Sequence, residues 1–257
     1  MSAELLALAE EAARLAGGQL AERFGSEVAV TAKSTPTDLA SEADLAAETA
    51  IRGLLTERRP GDGLLGEEEG GSAAPLGEGE LRWVFDPLDG TINYLFGLPQ
   101  WCVSIAVEDA GGGVAGVIYD PLREELFTVA RDAEPLLNGE PLQPRAPTPL
   151  PEALIATGFA YDAEVRARQA EIVAAMIPNV RDVRRMGSAA LDMAWLAAGR
   201  YDAYFERTVK PWDVAAGTLL CRRAGLEVRD LEARDGLPYG VIAGRAELLD
   251  GLARFDP

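Results

Sequence analysis

Residues 83 to 93 read Trp83-Val84-Phe85-Asp86-Pro87-Leu88-Asp89-Gly90-Thr91-Ile92-Asn93. The run predicts a strand, a sharp turn and a helix start in quick succession. Trp83, Val84 and Phe85 carry the strand to Asp86-Pro87. Pro87 stiffens the backbone and Gly90 permits a tight turn. Asp86 and Asp89 lie on that turn, so both carboxylates can converge on one point. Thr91 and Asn93 open a short helix whose free N–H groups point to the same place and favour an anion. Two acids beside an anion site repel phosphate unless cations lie between them. The run therefore reads as a metal-and-phosphate site, although Asp-Pro and Asp-Gly are also ordinary turn dipeptides.

Upstream, the apolar pair Leu64-Leu65 ends a short strand that runs into Gly66-Glu67-Glu68-Glu69-Gly70. Three glutamates in a row fit a solvated loop, but their place ahead of the Asp86–Asp89 strand also fits a site wall. Leu5, Leu8, Ala12, Leu15, Ala16 and Leu20 recur at helical spacing, and Gly25 ends that helix. Residues 28–32 alternate like a short strand. Thr37 or Ser41 caps a second helix to about Leu55, and residues 70–80 read as a loop. Downstream, residues 81–85, 102–107, 113–120 and 125–130 read as strands in antiparallel hairpins. Residues 139–151 hold five prolines and mark the best boundary. Beyond it strands and helices alternate: a strand at 153–158, a helix at 163–177, a strand at 180–184, a helix from Ser188 to Ala198, a strand at 201–206, a helix from Asp213 to Ala224, strands near Val228 and Val241, and a last helix from Arg245. The chain thus divides into an α+β part, residues 1–145, and an α/β part, residues 146–257.

The second part contributes Lys210-Pro211-Trp212-Asp213. Asp213 is a good N-cap for the helix formers that follow, a role worth about 1 kcal/mol, and its other oxygen is free for a metal. If Glu67, Asp86, Asp89 and Asp213 meet, each pair at ~4 Å repels by roughly 4 kcal/mol at an effective dielectric of 20. Only cations make such a pocket tolerable, and oxygen-only donors select hard ions, Mg²⁺ foremost.

Composition narrows the chemistry. The 257 residues are 48% hydrophobic and 26% charged, with mean hydropathy close to zero, which are globular proportions. Histidine is absent, so Ser-His-Asp hydrolysis, His-ligated zinc and histidine bases are excluded. With 24 basic against 42 acidic residues the formal net charge is −18, which disfavours direct nucleic-acid binding and anionic membrane surfaces. Cys102 and Cys221 sit in apolar stretches and read as buried free thiols of a reducing compartment. The N-terminus has no basic segment of a signal peptide and no apolar run approaches ~20 residues. The expectation is a cytoplasmic protein with no membrane contact.

Three signatures in order, Gly66-Glu67-Glu68, the Trp83–Asn93 run and Trp212-Asp213 with Ala215-Ala216-Gly217, resemble those of the inositol monophosphatase family, within the wider fructose-1,6-bisphosphatase-like group. Lys33-Ser34, Thr37-Asp38 and residues 185–190 also match, and residues 183–206 look closest to the bacterial SuhB-like branch. The resemblance implies a layered α-β-α-β-α sandwich of the sugar phosphatase type. It implies two or three Mg²⁺ per site: Glu67, Asp86 and the Leu88 carbonyl on the first ion, Asp86, Asp89 and Asp213 on the second, and Glu67 on a weaker third. Thr91 paired with Asp44 would orient the attacking water. The Gly90 and Thr91 N–H groups would hold phosphate oxygens beside Asp89. Gly187, Ser188, Ala189 and Glu206 would line the alcohol side. Arg184 and Arg185 fit either substrate or subunit contacts. The expected activity is Mg²⁺-dependent hydrolysis of myo-inositol monophosphate or related small sugar and polyol phosphates, by direct in-line attack of water and with inhibition by Li⁺, in a homodimer. The alternatives are fructose 1,6-bisphosphate, 3′-phosphoadenosine 5′-phosphate or histidinol phosphate as substrate, or an interaction role in ribosomal RNA processing or transcription.

Overall fold

Alanine and leucine at helical spacing build the first helix, α1 (Ser2–Arg23). Leu5, Leu8, Ala12, Ala16 and Leu20 are buried, whereas Leu15, at the edge of that stripe, is 42% exposed. Gly25 then takes a φ of 79° and ends the helical run. The computed structural model of the chain describes residues 2–26, 30–32 and 39–255. Lys33, Ser34, Thr37 and Asp38, and the first residues of the expected strand at 28–32, lie outside them. β1 (Val30–Ala32) and β2 (Leu39–Ser41) pair antiparallel. Ser41 caps α2 (Glu42–Arg58): its hydroxyl oxygen accepts from the Ala43 and Asp44 N–H groups, while the Asp44 carboxylate accepts from the Ser41 N–H.

The larger sheet follows. β3 (Gly63–Gly66) lies parallel to β5 (Arg82–Asp89), and β4 (Gly70–Gly71) extends the edge. Residues 70 and 71 are thus a short strand rather than the start of the expected loop. After α3 (Thr91–Leu95) come β6 (Cys102–Asp109), β7 (Gly112–Asp120) and β8 (Glu125–Ala130), all antiparallel neighbours as the turn signals require. β9 (Leu136–Leu137) and β10 (Glu140–Pro141) complete a sheet of order β10-β9-β8-β7-β6-β5-β3-β4.

The second sheet is built from β11 (Leu154–Thr157), then, beyond α4 (Ala163–Met176), β12 (Asp182–Arg184) and, beyond α5 (Ala189–Ala197), β13 (Ala203–Arg207). α6 (Pro211–Arg223), β14 (Glu227–Leu231), β15 (Gly240–Gly244) and α7 (Ala246–Leu252) follow. The order is β12-β11-β13-β15-β14, parallel at β12-β11-β13 and antiparallel beyond.

Three apolar cores separate five layers. α1 and α2 cover one face of the large sheet through Leu20, Ile51, Leu55, Trp83 and Val103. α5 and α6 lie between the sheets, where Ala190, Met193 and Leu220 meet Phe127 and Tyr204. α4 and α7 cover the outer face of the small sheet through Ile172, Met176 and Leu249. This is the layered α-β-α-β-α arrangement that the resemblance implies.

Candidate active site

The Trp83–Asn93 run differs from its expected form in one instructive way. β5 does not stop at Asp86 but continues to Asp89, and its register against β6 shifts between those two residues: Asp86 faces Ser104, and Asp89 faces Cys102. Side chains alternate along a strand, so residues three apart ordinarily point to opposite faces. The extra residue of the bulge removes that alternation, and Asp86 and Asp89 line the same cavity. Pro87, which has no N–H to give a ladder, occupies the bulge. Gly90 then adopts a φ of 97°, and a Cβ there would lie 2.8 Å from the Gln100 carbonyl oxygen, so only glycine fits the turn into α3.

The cavity has a volume of about 510 Å³. It brings together Glu67 from the end of β3, Asp86, Leu88, Asp89, Gly90 and Thr91 from the bulge and turn, Asp213 from α6, and Gly187, Ala189 and Glu206 from the far side. Glu67, Asp86 and Asp213 each offer an oxygen within 4.8 Å of the others. Asp213 is the third residue of α6 rather than its N-cap; Lys210 takes that place, and Asp213 Oδ2 accepts from the Lys210 N–H at 2.7 Å. The other oxygen is left for the cavity. Ser104 Oγ donates to the Trp212 carbonyl at 3.3 Å and ties this helix start to β6.

Burial and mutual repulsion govern the acids. Asp86 is 2% exposed, and its carboxyl is pushed well above the ordinary range by burial first and then by Glu67, Asp89 and Asp213. Asp213 is raised well above that range by burial, then by Asp89 and Glu67. Burial raises Asp89 to about 6, against hydrogen bonds that favour its charged form. Those bonds come from Ser188 Oγ at 2.6 Å and the Ala190 N–H at 2.7 Å, both to Oδ2. Asp89 thus caps α5 from another strand, and the Ser188 hydroxyl serves Asp89 instead of standing on the cavity wall. Oxygen donors of this kind, crowded and held short of full ionisation by one another, suit a hard divalent cation. Leu88 lines the same cavity.

Thr91 and Asp44 are joined. Thr91 Oγ1 stands 2.9 Å from Asp44 Oδ1 and 3.1 Å from the Leu88 carbonyl oxygen. Its single proton goes to one of these acceptors, so the hydroxyl oxygen keeps lone pairs to accept from a ligand in the cavity. Asp44 is 1% exposed and also receives the Ser41 N–H and hydroxyl. An exposed helical acid is therefore not what this residue is.

Glu206 stands across the cavity. Its carboxyl is raised to about 7 by burial, against the Arg185 charge and the Tyr204 hydroxyl, which donates to Oε2 at 3.1 Å. Arg185 lines the cavity, whereas Arg184 pairs with Asp182 at 2.6 Å. Asn93 Nδ2 donates to the Met186 carbonyl at 2.8 Å and the Gln100 carbonyl at 2.7 Å, locking the turn of α3 to the segment before Gly187.

Sequence reasoning missed Glu48. This α2 residue is fully buried. Its carboxylate accepts from the Glu68 N–H at 2.8 Å and the Glu69 N–H at 3.0 Å, and from Arg52 Nε at 2.8 Å. Arg52 Nη2 in turn donates to the Gly70 carbonyl at 2.5 Å. A Cβ on Gly66 would collide with the Glu48 carboxylate. The Gly-Glu-Glu-Glu-Gly loop is thus pinned from beneath, and Glu67 is presented by it. The signal was available: Glu48 lies one helical turn after Asp44.

Comparison with known proteins agrees with the geometry. The model of the inositol monophosphatase family matches residues 1–254. The chain is 41% identical to the inositol-1-monophosphatase SuhB of Mycobacterium tuberculosis over 266 aligned residues, covering 97% of this chain and 92% of that protein. It is 40% identical to the Nus factor SuhB of Salmonella typhimurium, covering 96% and 94%. The crystal structure of the extragenic suppressor protein suhB from Bartonella henselae superposes with a TM-score of 0.89 at 35% identity, over 98% of both chains.

Proposed function

The chain belongs to the inositol monophosphatase family, and from that premise we propose that it is a Mg²⁺-dependent phosphomonoesterase of myo-inositol monophosphate or related small sugar and polyol phosphates. The observation that carries this reading is the convergence of Glu67, Asp86, Asp89 and Asp213, from three distant parts of the chain, on one cavity beside the start of α3. Glu67, Asp86 and the Leu88 carbonyl would hold one ion, and Asp86, Asp89 and Asp213 a second, with Glu67 available to a third. Two ions held there would supply a nucleophilic water at neutral pH and would neutralise the phosphoryl charge. The residues do the rest. Thr91, its proton committed to Asp44 or Leu88, accepts a hydrogen from the attacking water and fixes its direction. The Gly90 and Thr91 N–H groups receive phosphate oxygens. Gly187, Ala189 and Glu206 face the leaving alcohol, and Ser188 holds Asp89 in place. No histidine is required.

Arg185 of the Arg184-Arg185 pair and Lys210 line this cavity, and the lack of a larger basic cluster there among the described residues favours a monophosphate over fructose 1,6-bisphosphate or 3′-phosphoadenosine 5′-phosphate. Histidinol phosphate is the remaining substrate alternative. We also propose a homodimer, supported by the neighbouring exposed side chains Phe96 and Leu98, and a cytoplasmic setting, supported by free buried Cys102 and Cys221. The residues before and after the boundary at 145 and 146 would be the two halves of the site. The Nus factor name of the Salmonella relative favours a second reading: a protein-contact role in ribosomal RNA processing or transcription. At a net charge of −18, contact with protein is the favoured mode and direct nucleic-acid binding is not.

Phosphate release from inositol, fructose, adenosine and histidinol phosphates, with and without Mg²⁺ and Li⁺, tests the enzymatic reading. Inositol monophosphate is expected to rank first, with activity lost in EDTA and reduced by Li⁺. Activity persisting in EDTA would defeat the metal mechanism, and preference for a bisphosphate would defeat the substrate assignment.

A further inference from the structure

Gly158 follows the last residue of β11, and β11 runs parallel to β13, with Thr157 opposite Phe205. The next β13 residue is Glu206. A methyl group placed on Gly158 would overlap the Glu206 carboxylate, meeting Cδ and both oxygens, and nothing else is nearer. The backbone does not ask for glycine here: Gly158 lies outside the left-handed region, unlike Gly90. The missing side chain therefore serves Glu206 alone. Its carboxylate lies in the space that any other residue at 158 would fill.

Two further groups fix that carboxylate. The Tyr204 hydroxyl donates to Oε2 at 3.1 Å, and the Arg185 charge favours its ionised form. The Tyr204 bond is to Oε2 and leaves Oε1 for a ligand, and a carboxylate oxygen accepts hydrogen bonds only. What it can read on a ligand is a hydroxyl. Phe159 and Ala160, next along the chain, line the same cavity, so a shift at Gly158 is felt where a substrate would sit.

We propose that Gly158 is a specificity-determining position: by leaving room for the Glu206 carboxylate it sets the depth at which hydroxyls of the leaving alcohol are read, and so selects phosphate esters of polyols over esters of alcohols that carry no further hydroxyl. The inference rests on the phosphatase reading of this cavity. Gly158 acts through Glu206 and is a positioning residue, with no contact to the reacting atoms.

The test is a double-mutant cycle with Gly158→Ala and Glu206→Ala, each assayed on myo-inositol 1-phosphate and on p-nitrophenyl phosphate with Mg²⁺. Gly158→Ala is expected to lower the ratio of kcat/KM on inositol phosphate to that on p-nitrophenyl phosphate about tenfold, mostly through KM. Added to Glu206→Ala, it should change that ratio no further. Thermal unfolding supplies a second readout: the loss of Tm caused by Gly158→Ala should disappear in the Glu206→Ala background, because the colliding atoms are gone. If Gly158→Ala alone does not fold, the double variant is expected to fold, and failure of both overturns the proposal. Equal losses on both substrates, or additive effects in the double variant, also overturn it. Lack of phosphate release by the unsubstituted protein on either substrate would instead defeat the phosphatase reading and this inference with it.

Discussion

The two walls of the cavity are built differently. On the wall of β3, β5 and α3, every acid is anchored by the backbone beneath it. Asp86 Oδ1 accepts from the Leu88 N–H at 2.9 Å, Asp89 caps α5, and Glu48 holds the loop of Glu67. On the wall of β13 and the segment before α5, Glu206 is positioned by one hydroxyl, one distant cation and an empty space. A wall fixed by many hydrogen bonds suits charge neutralisation, which fails when donors move by a fraction of an ångström. A wall fixed by few can be retuned for a different alcohol without disturbing the acids. The comparison predicts that damage to the first wall appears in kcat and metal affinity, and damage to the second in KM and substrate choice.

The largest effect belongs to the first wall. Asp86→Asn should lower kcat/KM by on the order of 10³-fold, while relieving the repulsion among the acids. The metal-free variant should therefore melt higher than the parent, as read by phosphate release and thermal unfolding. Thr91→Val removes the hydroxyl that takes the water and should cost about 10²-fold in kcat; Thr91→Ser should recover most of it, since the oxygen and its bond to Asp44 return.

Stability without metal should depend on pH with a definite sign. The Asp89 carboxyl titrates near 6 in the fold against 3.8 ordinarily, so the folded state binds its proton more tightly than the unfolded one. Stability is then present below the ordinary value and falls as pH rises through about 6, by about 3 kcal/mol for this residue. Asp86 and Asp213 shift in the same direction and add to the fall. Melting curves in EDTA should therefore drop as pH rises from about 4 through about 6, and Mg²⁺ should restore the loss at the higher pH.

Glu48→Gln sharpens the comparison, because Glu48, paired with Arg52, holds the loop that presents Glu67 and does not line the cavity. Mg²⁺ affinity should weaken about tenfold, seen as a shifted metal titration by calorimetry, with the inositol phosphate KM at saturating Mg²⁺ unchanged. The smallest effect belongs to the second wall: Glu206→Gln should raise KM for inositol phosphate a few-fold at nearly constant kcat. A large fall in kcat there would erase the distinction between the walls.

How much of this was legible in the sequence follows the same division. The antiparallel hairpins, α2 with its Ser41 cap and the alternation after residue 153 follow from turn residues and periodicity, which are local signals. The bulge at Pro87-Leu88 was not legible, because register depends on what β6 presents opposite. Leu15 was placed inside by its type, whereas a stripe mostly of alanine leaves it at the margin. In the site, Asp86, Asp89 and Asp213 stood out through dense motifs. Glu48 and Gly158 carry no motif; their meaning lies in contacts with Glu68, Glu69 and Glu206, which only the folded chain brings near.

Mn²⁺ titration followed by electron paramagnetic resonance, on the parent protein and on Asp86→Asn and Asp213→Asn, tests the convergence of the acids most directly. At least two ions should bind each parent chain, and either substitution should remove one or weaken it more than about tenfold. Undiminished binding in both variants, or no binding by the parent, would contradict the account.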